Sequence, residues 1–190
     1  GRNIKSLFEI LTKGGSGSGN YSGPGQPRFN KRGQEVIDEK YLRKNPQEVK
    51  KLKKEMSTWE GNRKSLALFA LDDMATDETA SAKGMIIKDK KETVGIVVYE
   101  NSSKGDYIHL AMVATKRKGY GKDLVKDIVE KAVKREMGVR LYSDLDAIDF
   151  YDAIGVKPKG KLVKGSGRAY GFTFNEAKSW LDKQKKMYEE

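Results

Sequence analysis

Apolar and polar positions are patterned most clearly in the C-terminal half of the chain. Residues 83–88 (KGMIIK), 93–100 (TVGIVVYE) and 107–114 (YIHLAMVA) are rich in β-branched and aromatic side chains. The polar turns DKKE and NSSKG separate them, so the three segments predict an antiparallel meander. A basic, glycine-containing turn comes next at 116–122 (KRKGYGK). Beyond it, Leu124, Val125, Ile128, Val129, Ala132, Val133 and Met137 fall on one helical stripe, with Gly138 placed as the C′ residue. Residues 139–143 (VRLYS) read as a fourth strand. Ala147, Phe150, Tyr151 and Ile154 then mark a second helix that Gly155 ends. A hairpin is expected from 161–163 (KLV), a turn at 165–167 and 168–174 (RAYGFTF). Asn175 is positioned to cap a last helix carrying Ala177, Trp180, Leu181 and Tyr188. The order is β-β-β-α-β-α-β-β-α. Residues 107–143 form a β-loop-α-β crossover and therefore a parallel pair inside an otherwise antiparallel sheet, with helices on both faces.

The N-terminal half is less regular. Ile4, Leu7, Phe8, Ile10 and Leu11 give a short amphipathic stretch. Residues 12–34 are rich in Gly and Ser, include Pro24 and Pro27, and read as a flexible linker interrupted by Tyr21 and Phe29. Together these form an extension over residues 1–44, ahead of a folded domain at 45–190. Asn45, Pro46 and Glu48 form a helix-start signal with capping-box spacing. Val49, Leu52, Met56 and Trp59 follow on one apolar face, and the other face is Lys-rich. Residues 65–71 (SLALFAL) fit strand or helix, and 72–81 read as a loop or weak helix.

Composition narrows the chemistry. Hydrophobic residues make up 37% of the 190 positions, which leaves part of the chain outside a core. The net charge of +11 favours an anionic partner, whether nucleic acid, a membrane surface or a phosphorylated cofactor. With no cysteine and one histidine, His109, a disulfide framework, a Cys-ligated zinc, a cysteine nucleophile and a His-pair metal site are all excluded. No metal is expected. No run approaches the roughly 18–20 apolar residues of a membrane span, and no signal-type apolar stretch stands at the N-terminus, so a cytoplasmic protein is the expectation.

The turn at 116–122 carries the main chemical signal. A helix N-terminus offers unpaired N–H groups and a partial positive charge, and glycines let backbone approach a phosphate closely. Lys116, Arg117, Lys118 and Lys122 surround Gly119, Tyr120 and Gly121. A P-loop would need Ser or Thr where Asp123 stands, and a dinucleotide-binding G-x-G-x-x-G would need Gly where Leu124 stands. Either a diphosphate site or a plain strand-to-helix turn on a basic surface fits the turn by itself.

About thirty residues on, Ala147, Phe150, Tyr151 and Gly155 recur at a second characteristic spacing. With Lys116, Gly119 and Gly121, and in this order of elements, residues 82–174 resemble the GNAT acetyltransferase superfamily. That family joins an [RQ]-x-x-G-x-[GA] turn to an N-x-x-A-x-x-[FLY]-Y-x-x-x-G-F helix. The chain departs from the pattern at Lys116, at Asp144 in place of Asn and at Val156 in place of Phe. The resemblance implies a GNAT-like acyl-CoA N-acyltransferase fold of the mixed α/β class. It implies an acetyl-CoA-dependent N-acetyltransferase acting on an amine of a small molecule or protein by direct attack.

On the same resemblance, acetyl-CoA lies where the third and fourth strands splay, its diphosphate on residues 117–122. Backbone N–H groups near Met112, Val113 and Ala114 hold the thioester carbonyl. Tyr151 donates to the departing sulfur. The general base is open between His109, Glu100, Asp106, Asp144 and a water chain. The Gly-rich stretch around residues 14–23 is similar to segments of phage head-morphogenesis proteins. It raises a second reading: a catalytically degenerate GNAT-like module in a virion, bound to phage structural proteins or nucleic acid through its basic surface.

Overall fold

The computed structural model describes residues 26–76 and 81–189. The amphipathic stretch at 1–11, most of the Gly/Ser segment and part of the 72–81 segment lie outside the described residues. The elements run β1 (Arg28–Phe29), β2 (Glu35–Asp38), α1 (Glu39–Lys44), α2 (Pro46–Met56), α3 (Gly61–Thr76), β3 (Lys83–Asp89), β4 (Glu92–Asn101) and β5 (Tyr107–Thr115). They continue with α4 (Gly121–Lys134), β6 (Gly138–Asp144), a 3-10 turn (Leu145–Ala147), α5 (Ile148–Ile154), β7 (Lys157–Pro158), β8 (Gly167–Phe172) and α6 (Phe174–Glu189). Eight strands form one sheet in the order β1-β2-β3-β4-β5-β6-β8-β7. The β5–β6 pair is parallel, with Tyr107 opposite Gly138 and His109 opposite Arg140. The β6–β8 pair is antiparallel from Val139↔Phe172 to Asp144↔Gly167. The mixed, mostly antiparallel sheet expected from the chain's periodicity is present, with helices around it.

The chain divides into two compact units: residues up to Val98 together with Met112–Tyr120, and Tyr99–Ala111 together with residues from Gly121. In the first unit, Leu52, Met56 and Trp59 bury the apolar face of α2 and its following turn against Ala67, Ala70, Leu71 and Met74 of α3. Ile37, Ile86, Ile96 and Ala114 close this core from the strands. Each fully buried Leu, Ile or Met side chain contributes about 1.5–3 kcal/mol. Residues 65–71, ambiguous by pattern, are helical because Ala67, Ala70, Leu71 and Met74 return to one face at helical spacing. The strands β1 and β2 and the helix α1 lie inside the stretch assigned by composition to an extension. Asn30 organises the turn between β1 and β2, its Oδ1 accepting from the N–H groups of Arg32 (3.0 Å) and Gln34 (2.9 Å).

In the second unit, β6 alternates strictly: Val139, Leu141 and Ser143 are buried, whereas Arg140, Tyr142 and Asp144 are exposed. On the buried face Tyr170 meets Tyr151 of α5 (ring centroids 5.7 Å apart), and Phe172 meets Trp180 of α6 (5.5 Å). The Trp180 indole N–H also reaches the Ile154 carbonyl at 2.7 Å, which fixes α6 to the end of α5. Helix α4 buries Leu124, Val125, Ile128, Val129 and Ala132, as its stripe predicts.

Helix ends differ from the expectation in three places. Helix α4 stops at Lys134, and Gly138 opens β6 instead of serving as C′. Glu136 takes the left-handed position (φ 58°), and the Met137 and Glu136 amides close on the Ala132 and Val133 carbonyls in a Schellman pattern. Helix α6 is capped by Thr173, not Asn175. The Thr173 hydroxyl accepts from the Glu176 amide (3.1 Å) and the Glu176 carboxylate accepts from the Thr173 amide (2.8 Å), a complete capping box. At α2, Pro46 does occupy the first turn, but Asn45 donates to the Tyr41 carbonyl and Glu48 pairs with Lys88 at 2.8 Å, so no side-chain cap forms.

The two-residue connection between β3 and β4 places Lys90 (φ 52°) and Lys91 (φ 70°) in the left-handed region, the pattern of a type I′ hairpin that Asn-Gly would suit. A left-handed lysine costs about 1 kcal/mol relative to glycine. Lys91→Gly is therefore expected to raise the unfolding free energy by about 0.5–1 kcal/mol after the loss of unfolded-state restriction. Thermal or urea denaturation reads this, and a lower melting temperature for the variant would contradict it.

Candidate active site

The basic turn is held from below by the β3–β4 hairpin, all within the first unit. Lys116 Nζ and both terminal nitrogens of Arg117 converge on the Glu92 carboxylate, with Arg117 bidentate at 2.9 and 3.0 Å. The Lys116 amide donates to the Val94 carbonyl at 2.9 Å. Asp89, at the other end of the same hairpin turn, accepts from the Tyr120 hydroxyl at 3.0 Å. Arg63 of α3 donates to both the carbonyl and hydroxyl of Thr115, the last residue of β5. Hydrogen bonds from Arg117 and then Lys116 hold the Glu92 carboxyl well below the usual carboxylate range, at about 2. The Tyr120 phenol is pushed up by desolvation and by its bond to Asp89.

These contacts reassign two of the four cations that surround the turn. Lys116 and Arg117 are engaged with Glu92, so their charge is answered within the fold. The backbone passes through a turn at Lys118–Gly119 and then enters α4, whose first amides, like those of any α-helix, have no partner within the helix. Gly119 adopts φ 110°, where a side chain would be strained, and a β-carbon built there meets nothing within 4 Å. The amides therefore border open space beside Lys118.

Gly121, the first residue of α4, has a different reason to be glycine. A β-carbon there would lie 2.9 Å from Cε1 and Cζ of Phe150. The Phe150 ring thus rests on the α4 N-terminus, and the two motif segments meet within the second unit. Phe150 also stands edge-on to Tyr151, with centroids 5.0 Å apart and planes at 71°. Tyr151 is buried at 7% exposure, and its phenol is pushed up to about 12, chiefly by burial and then by the Asp144 charge. Beyond it, the Tyr170 hydroxyl donates to Asp152 at 2.7 Å, bracing the ring that Tyr151 packs against.

The remaining candidate residues are dispersed. Met112 and Ala114 direct side chains into the first unit's core, leaving only their backbone for any ligand, and Val113 is half-buried on the alternate side of β5. His109 is exposed and in register with Arg140, on the sheet face opposite the one that Tyr170 and Tyr151 share. The structure does not bring His109 and Tyr151 together. Asp106 is held by the Ser102 hydroxyl at 2.8 Å, and Asp144 caps the 3-10 turn by accepting from the Ala147 amide at 3.1 Å. Glu100 is half-buried on β4. Sequence reasoning missed Glu92 and Asp89. Their flanking of a Lys-Lys pair in DKKE was visible, but which distant cations they meet is set by strand order.

This geometry predicts two outcomes. Gly121→Ala forces the Phe150 ring aside and is expected to cost about 1–3 kcal/mol of stability, with Phe150→Leu in the same chain recovering part of the loss. Chemical denaturation of the single and double variants reads the coupling, and additive effects would contradict the contact. For Glu92, the folded-state value lies below the unfolded one. Its contribution is therefore present above pH ~4.5 and is lost as pH falls toward ~2. Glu92→Gln should flatten the dependence of the melting temperature on pH in that window, and an unchanged profile would show that the carboxylate is not held.

No family model matches the chain, and no curated protein does. Solved structures with the same fold were found. The GNAT domain of S. lividans PAT is 12% identical, with a TM-score of 0.55 over 80% of this chain and 99% of that one. The aminoglycoside 6'-N-acetyltransferase from Enterococcus faecium is 15% identical, with a TM-score of 0.52 over 70% and 93%. Campylobacter jejuni N-acetyltransferase PseH, solved in complex with acetyl coenzyme A, is 15% identical, with a TM-score of 0.51 over 74% and 98%. The β-β-β-α-β order, the parallel β5–β6 pair and these likenesses agree: the chain has the fold of the GNAT acetyltransferases.

Proposed function

We propose that the chain is an acetyl-CoA-dependent N-acetyltransferase. The observation that carries the reading is the basic Gly119–Gly121 turn leading directly into the N-terminus of α4, in a chain with this fold. A diphosphate is suited to a helix N-terminus preceded by a glycine turn, and residues 117–122 supply both, with open space at Gly119. Lys118 and Lys122 add charge, while Lys116 and Arg117, held by Glu92, fix the turn. Bound there, acetyl-CoA supplies an activated acyl group with a thiolate as leaving group. Backbone N–H groups of Met112, Val113 and Ala114 would polarise the acyl carbonyl. The Tyr151 phenol would donate a hydrogen bond to the sulfur as it leaves. With its phenol at about 12, Tyr151 stays protonated through neutral pH and acts as a donor, not as a base. The acceptor is an amine, and its proton leaves to solvent or to a group other than Tyr151.

Isothermal titration of the purified chain with CoA tests the reading, and no binding at about millimolar CoA would end it. If CoA binds, Tyr151→Phe is expected to lower turnover about 10–100-fold with the CoA Kd unchanged. Equal turnover of the variant would remove Tyr151 from the mechanism while leaving the cofactor site standing.

A further inference from the structure

In the second unit, one face of the sheet is covered and the other carries planar side chains in the open. The strand registers settle which residues share that open face. His109 of β5 lies beside Arg140 of β6, and Arg140 and Tyr142 lie opposite Gly171 and Ala169 of β8. Tyr107, two residues before His109, is on the same side. Val139, Leu141, Tyr170 and Phe172 alternate with these and are buried on the other face. His109, Arg140 and Tyr142 are exposed, Tyr142 at 51%.

These flat groups are held in place. The Arg140 guanidinium lies over the Tyr107 ring at 4.0 Å. The Tyr142 and Ser166 hydroxyls are hydrogen-bonded at 2.8 Å, which ties the Tyr142 ring to the turn that follows Val163. Side chains fixed before a ligand arrives lose little freedom when it binds. Arg140 and Tyr142 are two steps apart on β6, about 6.7 Å, a spacing that suits bases splayed out one by one. The segment that brings Ser166 to this face is strongly basic: residues 157–168 hold Lys157, Lys159, Lys161, Lys164 and Arg168 and no carboxylate. Glu176 takes Lys159 at 2.7 Å, and Arg168 stands opposite Ser143, in register with the covered face. Lys157 stands opposite Gly171, in register with the open face, and Lys161 and Lys164 are exposed. The carboxylates at the border are occupied, Asp106 by the Ser102 hydroxyl and Asp144 by the Ala147 amide.

Charge and shape together decide between occupants. A second copy of a chain with net charge +11 would bring like charge to a basic surface. An acidic peptide would answer the lysines and leave the flat groups unused. A nucleic-acid duplex would answer the lysines too, but its base faces are stacked on one another. A single strand offers phosphates to the lysines and free base faces to the rings. We propose that this open face of β5, β6 and β8 binds single-stranded nucleic acid. Bases stack on Tyr142 and on the Arg140–Tyr107 pair, and backbone phosphates follow Lys157, Lys161 and Lys164.

The test titrates the full chain, without CoA, into a labelled oligothymidine and follows fluorescence anisotropy, so its outcome is independent of the acetyltransferase reading. A duplex of equal length and polyglutamate serve as competitors. Saturable binding of the single strand at about micromolar protein is expected, with each competitor at least about tenfold weaker. Tyr142→Ala should weaken binding about tenfold, and Tyr142→Phe should retain it, with the melting temperature of both variants within a degree or so of the parent at this exposed position. Lys161→Gln combined with Lys164→Gln should make the slope of log K against log salt shallower by about 1.4. No saturation by about 100 μM protein would overturn the proposal. Equal competition by duplex or polyglutamate would do so too, since charge alone would then explain the binding. Full binding by a folded Tyr142→Ala variant would place the strand elsewhere and end it as well.

Discussion

Helix α4 can start where it does only because Gly121 lacks a β-carbon. The Phe150 ring occupies the space that carbon would fill, 2.9 Å from where it would stand. This contact joins two segments about thirty residues apart. It also sets the direction of the next side chain along α5. With Phe150 against the helix terminus, Tyr151 must turn to the sheet, where Tyr170 receives it and Asp152 holds Tyr170 by its hydroxyl. The start of the helix and the setting of the phenol are thus fixed by one small volume. Close packing makes such a volume unforgiving, because interiors do not yield by a methyl group without moving side chains.

The turn that precedes α4 divides its work between side chains and backbone. From the sequence, four cations around two glycines look like a cluster of charge aimed outward. In the fold, Glu92 collects two of them, and the hairpin that carries Glu92 also carries Asp89, which takes Tyr120. These are exposed or half-exposed pairs, and such pairs add little to global stability. What they do is local: they tie the turn at Lys116, Arg117 and Tyr120, so that the intervening amides keep one orientation. In the proposed cofactor site, the net charge of +11 would act as a long-range field and the peptide groups of the turn would supply the short-range contacts.

The sequence was legible wherever one face of an element is buried. Strands β3 and β4 announced themselves as β-branched runs buried almost throughout, β5 by partial alternation, and helices α4 and α5 by the helical stripe. Strands β1 and β2 did not, since two and four residues are too short to carry a period, and the Gly-rich context around them pointed elsewhere. Caps were legible only in part. Thr173 with Glu176 was a readable box, but Asn175, an equally good capping residue two positions on, competed for the role. Glu136 in a left-handed position could not have been read, with Gly138 two residues away as the better candidate by type. In the site, the glycines and Tyr151 stood out because spacing along the chain defines them. Glu92 and Asp89 did not, because a pairing between residues some 25–31 positions apart depends on which strands lie side by side.

The two faces of the second unit's sheet constrain how protons could move. Tyr151 is on the covered face and His109 on the bare one, so no direct exchange between them is possible. Burial alone would already hold the phenol in its neutral form, and the Asp144 carboxylate adds to this because a phenolate would face a like charge. Asp144 is fixed in that position by a separate duty, accepting the Ala147 amide at the start of the 3-10 turn that leads into α5. The residue that opens the helical segment therefore also adds to the burial that keeps its tyrosine protonated. A neutral Asn at 144 could cap the same turn, but it would lack the charge that opposes the phenolate. An Asp at 144, where the GNAT pattern has Asn, thus adds to the burial that holds Tyr151 neutral without disturbing the fold that places it.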